Sequence, residues 1–363
     1  MELILKLTER CNYGCSFCRY ANHRRKDDGM SVTDIERLMR ECAQYNLQRG
    51  KKLVTVNFHG GEPLLFGLER FQTVMESQRR IERELQVTFQ NSIQSNGALL
   101  DETWCGFLRE NNISIGLSFD GPGDLNQHKP LDSEDTEARF LQTARLLNGQ
   151  KIPFGVISVI TPKHIGREQE FLDFFGRVGI RELGLSYCYN AEDDCSVDPV
   201  ELAGFLIRLF EMNLRAAKPI IIREFSEPIR RFLKEPVSNC FEMKRCACGL
   251  FMTVTPAGDV TFCDDDNLNR KIGNIHEQSL EQLMDGEARR RWLETMCAFH
   301  KTVCGKCEIG DLCGGGCSRY DLGMKRNYFC ETYKVLYPYL YERVQSVLRQ
   351  HDVLSVLRLK RLY

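Results

Sequence analysis

The chain has 363 residues, 42% hydrophobic and 27% charged, with a formal net charge of −1. That length accommodates one large domain and a smaller one with a sizeable core, and the near-zero charge excludes a strong field steering the protein to nucleic acid or to a membrane. No window approaches the roughly eighteen consecutive apolar residues of a membrane span, and the opening "MELILKLTER" is too short and lacks the basic start of a signal peptide. The expectation is a cytoplasmic protein.

In chain order, apolar runs rich in β-branched and aromatic residues fall at 3–7, 53–58, 87–93, 113–119, 154–160 and 183–187, and they predict buried parallel strands. Helix patterns lie between them. Ser31 and Asp34 resemble a capping box ahead of Ile35, Leu38, Met39 and Cys42, and Asp198-Pro199 precedes Leu202, Phe205, Leu206 and Leu209. Six strand–helix units predict an α/β fold, a partial (β/α)6 TIM-like barrel over residues 1–215. A bridging region over 216–239 and a small Cys-rich α+β domain over 240–335 follow. "CGLFMTVTPAGDVTFC" (248–263) reads there as a hairpin turning at Pro256–Asp259. A C-terminal helix is expected over 336–363, with Leu340, Val344, Val347 and Leu348 on one face.

Seventeen cysteines are the anomaly. A reducing compartment disfavours structural disulfides, so this richness points to metal or redox chemistry. Cys42, Cys105, Cys188, Cys195 and Cys297 are scattered and read best as small buried hydrophobes. The others are grouped. Cys11, Cys15 and Cys18 follow the first predicted strand at C-x3-C-x2-C, with Phe17 before the third. Thiolates are the soft ligands of iron–sulfur clusters, and three of them leave one iron of a [4Fe–4S] cluster open. The spacing and position resemble the signature of the radical SAM superfamily.

That resemblance implies a cluster on Cys11, Cys15 and Cys18, with S-adenosylmethionine on the fourth iron. It extends to "FHGGEPLL" (58–65), similar to the family's GGEP motif, where Gly60, Gly61 and Glu62 would engage the methionine ammonium. "QSNG" (94–97) and "LSFDGP" (117–122) resemble the ends of the third and fourth strands, placing Asn96 and Ser118 at the cofactor and Phe17 near the adenine. Asn96 and Asp120 read equally well as turn residues at strand ends. The sequence departs from the family at "NQHKPLD", where relatives often carry an Arg; Lys129 or Arg139 would have to reach the cofactor carboxylate instead.

Downstream, Cys248, Gly258, Cys263, then Cys304-x2-Cys307-x5-Cys313-x3-Cys317, then Cys330, resemble the SPASM domain of radical SAM peptide-modifying enzymes. The resemblance implies two auxiliary [4Fe–4S] clusters, one on Cys304, Cys307, Cys313 and Cys330. The other would use Cys248, Cys263 and Cys317 with either Cys240 or Cys246. The cysteine knuckles alone would serve zinc as readily.

The implied chemistry is reductive cleavage of the sulfonium to a 5′-deoxyadenosyl radical that takes hydrogen from an unactivated carbon. The first expectation is an oxidative side-chain crosslink, cyclophane or thioether, in a precursor peptide. The alternatives are a formylglycine-forming sulfatase maturase and a small-molecule dehydrogenase. Only ten residues precede Cys11, so recognition of the precursor falls to the barrel and SPASM surfaces or to a separate leader-binding protein. A flavodoxin- or ferredoxin-like donor would supply electrons. No residue is singled out as a catalytic acid or base; Asp264, Asp265, Asp266, Asp321 and Tyr328 stand near cluster cysteines and read as solvated.

Overall fold

The computed structural model describes residues 1–15, 17–18, 29–128, 135–189, 195–237, 251–263, 271–320 and 326–349, with the backbone alone at 296, 297, 299–301 and 318. Cys240, Cys246, Cys248, Lys129, Asp264, Asp265, Asp266, Asp321 and the terminal "RLKRLY" lie outside these residues, as does the side chain of Cys297.

The elements run β1 (Glu2–Thr8), α1 (Val32–Leu47), β2 (Leu53–Gly60), α2 (Leu68–Leu85), β3 (Thr88–Ser95), α3 (Glu102–Glu110), β4 (Ser114–Ser118) and α4 (Thr136–Gly149). They continue with β5 (Phe154–Ile160), α5 (Glu168–Val178), β6 (Glu182–Tyr187), α6 (Pro199–Arg215), β7 (Ile221–Ile222) and α7 (Arg223–Phe232). Last come β8 (Phe251–Val254), β9 (Asp259–Thr261), β10 (Gly273–Asn274), α8 (Leu280–Asp285), α9 (Glu287–Phe299), α10 (Gly310–Cys313) and α11 (Cys330–Arg349). Strands β1 to β6 fall on the six apolar runs, in the strand–helix alternation of a partial (β/α)6 barrel. Both helix starts read from the sequence are capped: the Ser31 hydroxyl accepts from the Asp34 N–H, and the Asp198 carboxylate accepts from the N–H groups of Val200 and Glu201.

The chain divides into two compact units. The first comprises Met1–Ser118, His128–Pro153 and Cys248–Glu294. Its strand order is β10-β9-β8-β1-β2-β3-β4, with β8 to β4 parallel and β8, β9 and β10 antiparallel. The predicted hairpin forms, with Gly258 at φ +84° in its turn. It does not stand apart from the first strand: β8 pairs with β1 from Glu2↔Phe251 to Leu5↔Val254. Without β8, β1 would present an edge of unpaired N–H and C=O groups.

The two faces of this sheet differ. Val54, Val56 and Phe58 of β2 are buried, and Phe58 meets Phe71 of α2 edge to face. Thr55, Asn57 and His59 alternate with them and are half-buried, as are Ser92 and Gln94 of β3. In the central parts of β2 and β3 the helix side is thus the more deeply buried, and the opposite side carries polar residues.

The second unit comprises Phe119–Gln127, Phe154–Ala247 and Thr295–Tyr363. Its strands run β5-β6-β7, all parallel, and α11 packs on α6 and α7. Glu211 of α6 accepts from the Arg343 guanidinium and the Tyr339 hydroxyl of α11. Leu340, Val344 and Val347 are buried as expected, whereas Leu348 is 38% exposed: one residue past Val347 is a rotation of about 100°, off the packed stripe. No helix among the described residues is long and apolar enough to cross a membrane.

Phe71 is the hub of the first unit's helix-side core, with Phe58, Phe66, Trp104 and Phe107 all edge-on to it. Phe71→Ala is expected to lower stability by about 3–5 kcal/mol, and Phe71→Leu by less than half of that. Chemical denaturation of the metal-free chain measures both; an Ala variant within error of wild type would contradict this packing.

Candidate active site

The site begins where β1 and β2 end. Their parallel pairing shifts register after Lys6↔His59 and closes at Thr8↔Gly60. The Gly61 N–H then donates to the Thr8 carbonyl at 2.8 Å, and the Glu62 N–H donates to the Arg10 carbonyl at 2.8 Å. A Cβ on Gly60 would fall on the Thr8 carbonyl oxygen, and one on Gly61 on that of Arg10. Gly60 also sits at φ +127°, in the region that disfavours side chains. The two glycines let the loop after β2 lie directly on the segment that delivers Cys11.

Glu62 is buried at the end of this seam, 1% exposed. One carboxylate oxygen accepts from the Leu64 N–H at 3.0 Å and the Ser95 hydroxyl at 2.8 Å. The other accepts from the Asn96 N–H at 2.8 Å. Three of its roughly four acceptor positions are thus used. Burial raises its pKa to about 7 against the lowering effect of those three donors.

Asn96 ties three segments together. Its side-chain amide donates to Asn12 Oδ1 at 2.8 Å and lies 4.0 Å from Cys11 Sγ, and its Oδ1 accepts from the Ala98 N–H. Ser118, at the end of β4, accepts from Gln94 Nε2 at 2.9 Å. The Gln94 side chain lies across Gly116, where a Cβ would strike its amide oxygen. Arg139 directs its guanidinium to the Ala98 carbonyl and to Gln142.

Cys11, Cys15 and Cys18 gather in one apolar cluster with Tyr13, Phe17 and Ala98. The Tyr13 N–H donates to Cys11 Sγ at 3.3 Å, and the Cys18 N–H donates to the Cys15 carbonyl at 3.1 Å. Burial pushes the Cys11 thiol up to about 12, so that thiol stays neutral until a cation replaces its proton. Three soft donors on one short loop, directly after a strand, fit an iron–sulfur cluster with an open iron better than a closed four-ligand zinc site.

Two residues here escaped the sequence reading. Gln94 had a signal, a polar residue at an alternate position in an otherwise buried strand. His128 had none, because it reaches the cluster across 113 residues: its Nδ1 lies 3.4 Å from Cys15 Sγ. In the second unit, Asp120 is fully buried and acts as a loop anchor, its two oxygens accepting from the N–H groups of Gln127 and Val159. Cys42 and Cys105 are buried as expected. Cys195 is half-buried with its sulfur 2.6 Å from that of Cys188, so those two are a thiol pair rather than isolated core residues.

Of the later cysteines, Cys263 follows β9 in the first unit, half-buried, its carbonyl accepting from the Thr261 hydroxyl. Cys304, Cys307, Cys313, Cys317 and Cys330 lie in the second unit. The Cys307 N–H donates to the Cys304 carbonyl, and a Cβ on Gly310 would meet that same oxygen. Gly314, Gly315 and Gly316, all at positive φ, turn the chain between Cys313 and Cys317. The Cys330 N–H donates to the Asn327 carbonyl, while the Asn327 amide donates to the carbonyl of Cys317. Lys334 has a raised pKa, chiefly through its hydrogen bond and ion pair with Glu331, one residue past Cys330. Soft donors spaced by tight glycine turns are a donor set suited to a cluster. Among the described residues, no three His, Cys, Asp or Glu side chains converge as the ligands of a single metal ion do.

Comparison with known proteins accords with these features. The radical SAM superfamily family model matches residues 5–175, and that of the SPASM iron–sulfur cluster-binding domain matches residues 246–308. The cysteine-type anaerobic sulfatase-maturating enzyme of Clostridium perfringens (strain 13) is 27% identical over 366 residues, covering 95% of this chain and 97% of the relative. The serine-type anaerobic sulfatase-maturating enzyme of Bacteroides thetaiotaomicron is 25% identical, covering 89% and 85%. A solved structure of anSMEcpe with bound AdoMet and Cp18Cys peptide superposes with a TM-score of 0.83 at 26% identity, covering 96% of this chain and 99% of that one. Streptococcus suis SuiB bound to its precursor peptide SuiA shares the fold, at TM-score 0.64 and 18% identity.

Glu62 gives a pH signature independent of any ligand. Between the ordinary value of 4.5 and about 7 the folded chain keeps this proton and the unfolded chain releases it, so the Glu62 contribution to stability is lost as pH rises through that window. The loss is about 3 kcal/mol in order of magnitude. Denaturation of the metal-free chain from pH 4.5 to 7.5 should show a flatter profile for Glu62→Gln than for wild type; parallel profiles would contradict the assignment.

Proposed function

Starting from a chain that belongs to the radical SAM superfamily and carries a C-terminal SPASM domain, we propose that it is an anaerobic sulfatase maturase of the cysteine type, oxidising one cysteine of a sulfatase polypeptide to formylglycine. The observation that carries this reading is the end-to-end match to the cysteine-type Clostridium perfringens enzyme, 95% of one chain against 97% of the other. The crosslinking activity expected first gives way to its alternative. The peptide-bound SuiB structure, at 18% identity, speaks for the fold alone, whereas the sulfatase-maturating relatives span both domains. A peptide substrate is supported by the peptide-bound anSMEcpe structure.

The two domains bring three [4Fe–4S] clusters, one of which binds S-adenosylmethionine. In this reading Cys11, Cys15 and Cys18 hold that cluster. Cys304, Cys307, Cys313 and Cys330 hold one auxiliary cluster, and Cys248, Cys263 and Cys317, with Cys240 or Cys246, hold the other. When bound, the cluster and its cofactor supply a carbon radical that takes a hydrogen atom from an unactivated carbon.

The chain's own contribution is binding and orientation. Glu62 keeps one acceptor position for the methionine ammonium, whose positive charge would offset the burial that now raises its pKa. Gly60 and Gly61 hold that carboxylate against the cysteine loop, and Asn96 braces it from β3. Gln94 fixes the Ser118 hydroxyl for the cofactor's ribose or carboxylate. Phe17 offers a ring near the adenine and, with Tyr13, shields the cysteines from water. At the substrate, the cysteine Cβ would lose a hydrogen atom to the cofactor-derived radical, then one electron to an oxidised auxiliary cluster and one proton to solvent, leaving a thioaldehyde. Water converts it to the aldehyde with release of hydrogen sulfide.

The test is anaerobic incubation of the reconstituted protein, S-adenosylmethionine and a reductant with a peptide copied from the cysteine motif of a sulfatase, beside its Cys→Ser counterpart. The expected product carries an aldehyde at the cysteine, located by fragmentation mass spectrometry, and forms several-fold more slowly from serine. A cyclised peptide, or no aldehyde from either peptide, would overturn the proposal.

A further inference from the structure

We infer that His128 is a positioning residue for the cluster held by Cys11, Cys15 and Cys18: its imidazole N–H donates a hydrogen bond to the Cys15 thiolate and raises the reduction potential of that cluster. The inference rests on the reading that Cys15 is a cluster ligand and extends it to a residue outside the cysteine loop. Nδ1 of His128 lies 3.4 Å from Cys15 Sγ, a donor–acceptor distance for sulfur.

The ring is held there by aromatic contacts. Phe17 meets it at a centroid distance of 5.5 Å with an interplanar angle of 84°, and Tyr13 at 6.2 Å and 65°. Both rings belong to the loop that carries the thiols, so His128 is packed against the cysteine segment through two aromatic contacts. Cys15 is itself buried, 7% exposed, which leaves little water to solvate a thiolate there. A neutral N–H donor then becomes a principal means of stabilising its negative charge. His128 also lies in "NQHKPLD", the stretch that departs from the family pattern, so no residue role can be carried over to it from that pattern.

The effect has a definite sign. Reduction adds negative charge to a cluster already bearing thiolates, and a hydrogen bond to a ligand sulfur stabilises the reduced form more than the oxidised form. Hydrogen bonds to the sulfurs are among the determinants of cluster potential. Removing the donor makes the cluster harder to reduce, so less of it is reduced at any given solution potential.

The experiment is an anaerobic redox titration of the fully reconstituted protein, followed by electron paramagnetic resonance. The relevant cluster is recognised as the one whose signal changes when S-adenosylmethionine is added. His128→Phe preserves a planar ring against Phe17 and Tyr13 but has no donor; His128→Gln retains a donor. In the Phe variant the ratio of reduced to oxidised cluster at fixed potential should fall about tenfold, equivalent to about 59 mV for a one-electron couple. The Gln variant should recover most of this. A Phe variant that titrates with wild type, or a Gln variant displaced as far as Phe, would overturn the inference. The Cys11→Ala, Cys15→Ala, Cys18→Ala triple variant separates the two levels. If the cofactor-responsive signal survives in it, the cluster assignment fails and takes the His128 inference with it. If that signal is lost while His128→Phe titrates with wild type, the His128 inference alone fails.

Discussion

The site depends on a short backbone seam, the two hydrogen bonds by which Gly61 and Glu62 donate to the carbonyls of Thr8 and Arg10. Parallel strands end with backbone groups that need partners; here the loops beyond β1 and β2 satisfy one another. The contact requires residues without a Cβ at Gly60 and Gly61. It fixes Arg10, and therefore the starting point of the Cys11 loop, relative to the buried carboxylate of Glu62. Asn96 reinforces it from β3, with its backbone N–H on Glu62 and its side chain on Asn12. Thiols, carboxylate and amide thus form one braced unit, and a cluster and its cofactor would meet a surface already arranged.

Much of this was legible because it is local. The six strands followed from apolar runs, and the caps at Ser31 and Asp198 from single residues acting within one helical turn. The C-x3-C-x2-C spacing pointed to a metal-binding loop because the candidate ligands are neighbours in sequence. The glycines were visible, but their purpose was not. Read as sequence, they free the backbone to approach a ligand; in the structure they free it to approach another loop, a contact about fifty residues away that no local pattern encodes.

The less legible parts are long-range. The hairpin at 251–261 looked like the start of a separate domain, yet β8 completes the free edge of β1. Hydrophobic alternation says that a strand exists but not which strand it pairs with. His128 arrives at Cys15 from beyond β4, and Cys188 meets Cys195 across the loop after β6. The preference between a crosslink and formylglycine lies further still from local pattern. Both are two-electron oxidations of a peptide side chain, and the same cysteines serve either. Similarity along the full length of both domains, rather than any one motif, moved the reading to the sulfatase maturases.

The central claim is that the glycine seam holds the cysteine loop in a cluster-binding form, independently of the cysteine-rich tail. Its most direct test is iron and acid-labile sulfide per chain in protein reconstituted without oxygen, wild type beside Gly61→Ala. Three [4Fe–4S] clusters give about twelve irons with matching sulfide in wild type. The account predicts about eight in the variant, with the cofactor-responsive signal lost and the tail clusters retained. A Gly61→Ala protein that keeps all twelve and the cofactor-responsive signal would contradict it.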